Sequence, residues 1–257
     1  MFFRLYPILT TIIFLGLIFF TLYYFGSNFV FGVLGAGVII IYGLTWKSVG
    51  RFTSTILPAF LILGSLPALS LMSSETLRYV AIVSLAAALY FELLAKGRLS
   101  DNPADKIALA LLNGINFIIF FVWANLIFAS FLNFSDLVFP VWLMLLISAF
   151  IAFTVSKDTL ENNLALKVRA GDLRKNDINI ASLIVALVVS QITWGLIFYP
   201  FRYRASAVIL LSAYYLVFTA THFFLTKEEK GRKLAKDVII VALAIVIMLL
   251  TSRWRYY

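Results

Sequence analysis

Charged residues are spaced so unevenly along this chain that they leave apolar runs long enough to cross a lipid bilayer. Between Lys106 and Lys157, for example, the only charge is Asp136. A hydrocarbon core about 30 Å thick is crossed by about 20 apolar residues of α-helix. Lipid offers no water to backbone N–H and C=O groups, so each run must satisfy its own hydrogen bonds. Runs this long and this uniformly apolar do so as helices, not as barrel strands. Composition agrees, with 63% hydrophobic and 13% charged residues and a mean hydropathy of +1.00.

The runs predict an all-α polytopic integral membrane protein, a bundle of about nine transmembrane helices forming one domain over residues 1–257. The expected spans are 5–24, 29–46, 52–72, 78–95, 107–132, 134–155, 178–200, 205–225 and 234–252, with 156–177 as the longest cytoplasmic loop. The first run follows Arg4 but is longer than the apolar region of a signal peptide, and "YYFGSNF" after it has no A-x-A-like site. It reads as a membrane anchor.

This topology puts all but Arg78, Arg202, Arg204, Arg253 and Arg255 of the 21 lysines and arginines on one side. By the positive-inside rule that side is cytoplasmic, which places the N-terminus inside and the C-terminus outside, in a plasma or inner membrane. The net charge of +9 lies in short loops flanking helices, so its expected partners are the bilayer and the anionic lipid headgroups of the cytoplasmic face. No nucleic-acid partner is expected. Trp46 and Trp254 fall at span ends, as an aromatic belt requires.

The stretch "YFELLAKGRLSDNPADKIALALLNGIN", residues 90–116, sets Asp101 and Asp105 one helical turn apart. Two such carboxylates could hold Mg²⁺ against a diphosphate. In this one loop the chain resembles the intramembrane prenyltransferases, which use aspartate-rich cytoplasmic loops in that way. Gly97, however, stands where their motif has an asparagine, and the second loop, "SKDTLENN", offers only Asp158 and Glu161. Helix punctuation accounts for more of the letters. Gly97 ends one helix, Ser100, Asp101 or Asn102 caps the next, Pro103 sits in its first turn, and Asp105 faces its positive end. Asn133 or Ser135, and Asn176 with Asp177, read as helix starts in the same way.

Glu92 and His222 lie inside apolar runs, each close to a loop lysine, so the two share a depth and could pair across helices. Asn113 and Asn116 share a helix face, and Ser190, Gln191 and Thr193 are also intramembrane. Amides buried in lipid serve as glue between helices or line a path. The stretch with Gly32, Gly35, Ala36 and Gly37 has a small-xxx-small spacing from Gly32 to Ala36 that allows close helix approach, while Pro58 and Pro67 interrupt one span. In the 156–179 segment Leu160, Leu164 and Val168 recur every four residues, the stripe of a short helix, with Gly171 as its stop.

Cysteine is absent and His222 is the only histidine, which excludes thiolate and histidine-cluster metal sites. No metal and no cofactor are expected, and no nucleotide loop, G-x-S-x-G or H-E-x-x-H motif occurs. The expected role is non-catalytic: a subunit, scaffold or assembly factor with a membrane protein partner. The alternatives are a transporter or channel using Glu92, His222, Asn113, Asn116 and Gln191, and an enzyme acting on a lipid or isoprenoid phosphate through Asp101, Asp105, Asp158 and Glu161.

Overall fold

The computed structural model describes residues 2–23, 37–43, 52–70, 72, 74–133, 140–198, 203–226 and 231–251. The described residues form only helices and the turns between them. These are α1 (Phe2–Tyr23), α2 (Phe52–Ser70), α3 (Glu75–Asp101), α4 (Lys106–Asn133), α5 (Val141–Asn163), α6 (Ala165–Arg169), α7 (Lys175–Ile197), α8 (Tyr203–Thr226) and α9 (Gly231–Thr251). Residues 37–43 are also helical. Among the described residues five helices, α3, α4, α5, α7 and α8, are long and apolar enough to cross a membrane. Shorter apolar stretches occupy Leu5–Phe20, Thr55–Leu69 and Val238–Ile247. Most of the expected 29–46 span, with Gly32, Gly35 and Ala36, lies outside the described residues.

The chain divides within α4 into two compact units, Met1–Val122 and Trp123–Tyr257. In the first, α1 packs against α2 and α3, and α2 packs against α3. The buried stripe of α1 is Thr10, Phe14 and Ile18, while Leu5, Ile8, Leu9 and Ile12 face outward, the one-sided pattern of a helix packed along a single face. A Cβ at Gly37 would overlap the Leu17 side chain of α1, so the small residue there does permit close approach. Pro58 and Pro67 lie inside α2 without ending it. Ala95 and Leu99 of α3 meet Ala108 and Leu112 of α4 in a buried cluster.

In the second unit α5 and α7 are antiparallel. They are joined at one end through α6 and its turn, and near the other end the Ser190 hydroxyl donates to the Leu145 carbonyl at 3.4 Å. The α7 stripe Ile178, Ala181, Ser182, Val185, Ala186 and Val189 is buried, and Ile180, Leu183, Ile184 and Leu187 on the opposite side are exposed. Helix α8 packs on α7 and α5, and α9 packs on α8.

Several expected boundaries move. Gly97 does not end α3, which continues to Asp101; Asn102 then turns extended at φ −136°, ψ 96°. The cause is Pro103, whose ring disfavours helical geometry in the residue before it. Pro103 therefore belongs to the turn, not to a first helical turn, and Asp105 is the cap of α4. The expected 134–155 span is instead Val141–Asn163, starting after Pro140 at φ −62°, ψ 133°. Asn133 is the last residue of α4, and Ser135 lies outside the described residues. The 156–177 loop is mostly helix: α5 runs on to Asn163, and its polar side chains are accommodated by bonds to the preceding turn, Thr159 donating to the Val155 carbonyl at 2.7 Å and Asn162 to the Asp158 carbonyl at 2.7 Å.

Gly171 stops α6 as expected, but the expected stripe is split: Leu160 belongs to α5, Leu164 lies between the helices, and no residue of α6 itself is buried. Leu160 and Leu164 are buried, and Gly171 has φ 82°. Asp172 N–H reaches the Lys167 carbonyl and Gly171 N–H the Val168 carbonyl, the paired bonds that close a helix on a left-handed residue.

Candidate functional site

Glu92 sits on the inward side of α3 and is fully buried. Lys96, one turn later, donates to its Oε1 at 2.5 Å, with the lysine side chain 2% exposed. Lysine following glutamate by four residues is the favourable order on a helix, so the acid finds its ion partner on its own helix. Lys96 reads in sequence as a loop charge; the Glu-to-Lys spacing is the signal that identifies the pair. Asn116 of α4 is buried and Asn113 half-buried.

The acidic residues expected at the cytoplasmic face part company. Asp105 Oδ1 accepts from the N–H groups of Ile107 at 3.0 Å and Ala108 at 3.1 Å, and Asn102 Oδ1 accepts from Ala104 N–H. Asp101 is exposed at the end of α3. In the second unit Asp158 of α5 is fully buried. Glu161 and Lys157 stand 4.0 Å apart on α5. Asp177 falls inside α7 at its first turn, not ahead of it, and accepts from the Arg174 N–H at 3.1 Å. Among the described residues no group of three or more His, Asp or Glu is placed to hold a metal ion.

His222 is half-buried and belongs to a ladder along α8. Tyr214 stacks on Phe218 with centroids 6.0 Å apart, and Phe218 lies 6.4 Å from His222. The four-residue spacing brings these rings together. Glu92 and His222 fall in different units. Gln191 points outward from α7: it is exposed, beside exposed Trp194, and has no hydrogen-bond partner among the described residues.

Hydroxyl groups within the helices bond back to their own turns. Thr10 donates to Tyr6, Ser182 to Ile178, Thr193 to Val189 and Thr221 to Val217. Such bonds satisfy a hydroxyl without presenting it to a path.

A cavity of about 910 Å³ opens between the start of α7 and the end of α8. Lys167, Asp172 and Asp177 form its polar end, and Ile180, Ile184, Phe224 and Leu225 its apolar wall. Nothing in the sequence marks it, because it is made by the turn that folds α7 back along α5 and by the end of α8. The chain matches no protein-family model, no curated protein and no solved structure.

Proposed function

We propose that this protein is a multi-pass membrane protein of non-catalytic type, a subunit, scaffold or assembly factor of a membrane complex. The nine-span topology with a cytoplasmic N-terminus and an outer C-terminus belongs to the same proposal. Gln191 is the observation that carries it. An amide side chain exposed on an apolar helix, about 9 Å from that helix's end, is poorly solvated by lipid and gains most from a partner helix. The local engagement of Asp105, Glu92 and the helix hydroxyls supports the same reading, since these groups serve the fold.

The test is a photoreactive amino acid in place of Gln191, irradiated in native membranes. One discrete protein adduct is expected. Adducts with lipid alone would refute the subunit reading.

A further inference from the structure

The cavity between α7 and α8 has the chemistry of an amphiphile site. Its wall residues Ile180, Ile184 and Phe224 are 58%, 49% and 83% exposed, so the groove is continuous with the lipid-facing side of both helices. An occupant entering from the bilayer therefore brings an apolar portion to that wall. The polar end offers both signs of charge. The carboxylate of Asp172 is exposed and has no hydrogen-bond or ion-pair partner among the described residues. Asp177 has one oxygen on the Arg174 N–H. Lys167 gives one donor to the Thr226 carbonyl at 3.3 Å, which leaves two of its ammonium protons for another acceptor.

We propose that this groove binds a zwitterionic phospholipid whose headgroup ends in a primary ammonium, of the phosphatidylethanolamine class. The ammonium has three N–H donors for Asp172 and Asp177, while a trimethylammonium headgroup has none. The phosphate accepts from Lys167, and the first acyl carbons lie along Ile184 and Phe224. A headgroup with negative charge alone would meet two carboxylates against one lysine. The inference needs only the membrane location, so loss of the subunit reading leaves it intact.

Native mass spectrometry of the full chain in detergent, titrated with phosphatidylethanolamine, phosphatidylcholine and phosphatidylglycerol of matched chains, tests the assignment. Phosphatidylethanolamine is expected to bind about tenfold more tightly than phosphatidylcholine. Asp172→Asn should cut that margin to about threefold or less. Ala220→Trp, at an exposed position lining the groove, should abolish the preference, and Ile184→Trp should do so from the opposite wall if the first variant fails to fold. Equal binding of the two zwitterions, a preference for phosphatidylglycerol, or no binding of any of the three would overturn the assignment. So would a preference that survives tryptophan in the groove.

Discussion

The ion pair within α3 makes the sharpest energetic prediction. Lys96 and Glu92 are 2% and 0% exposed at 2.5 Å, so neither charge is hydrated to any extent and each depends on the other. Lys96→Met leaves the carboxylate in place without its counterion. Breaking a buried pair from one side destabilises a protein by about 3–5 kcal/mol, and Glu92→Gln, which strands the ammonium, should fall in the same range. The double variant Glu92→Gln/Lys96→Met removes both charges and should lie within about 1 kcal/mol of the wild type, in either direction. The assay is reversible unfolding in mixed micelles against the mole fraction of SDS, followed by tryptophan fluorescence. A double variant more stable than either single one is the signature. If both single variants unfold within about 0.5 kcal/mol of the wild type, the pair behaves as a hydrated surface pair and the reasoning fails.

Four further outcomes follow, three from helix ends and one from a helix interior. Asp105→Ala should destabilise by about 1 kcal/mol through loss of the α4 cap. Asp101→Ala should change stability by less than about 0.5 kcal/mol, or raise it slightly, because that carboxylate stands at the negative end of α3; equal losses in the same unfolding assay would point to a shared site instead of a cap. Gly171→Ala should lose about 1–2 kcal/mol, since the left-handed backbone alone is unfavourable and no neighbour obstructs a Cβ there; faster hydrogen exchange across 164–174 would report it. Gly97→Ala should gain about 0.5–1 kcal/mol, because Gly97 is interior to α3 with open space around it. A loss measured there by thermal unfolding would return Gly97 to the role of helix stop.

The all-helical fold and its long apolar helices were legible because bilayer thickness and backbone hydrogen bonding act on every residue of a run. Ends were less legible, since single local contests decide them. Pro103 outweighs Gly97 as a stop because a proline ring disfavours helical geometry in its predecessor and Asn102 there turns extended, whereas glycine only weakens a helix. The polar letters of "SKDTLENN" look like a loop, yet their side chains bond to the preceding turn and continue α5. Gly171 was readable because it needs a backbone shape that other residues avoid. For the candidate sites, spacing alone contained the Glu92–Lys96 pair. The α7–α8 groove depends on contacts between residues far apart in sequence, such as Lys167 with Thr226, 59 positions on, and no short pattern encodes it.

The placement of Glu92 and Lys96 on one helix also bears on biogenesis. A lone acid at the centre of a span disfavours insertion by about 2.5–3.5 kcal/mol. Helix α3 carries both acid and base, and its i, i+4 geometry forms as soon as the helix does. The two charges of the pair therefore offset each other within a single helix, without waiting for a second one to supply the counterion.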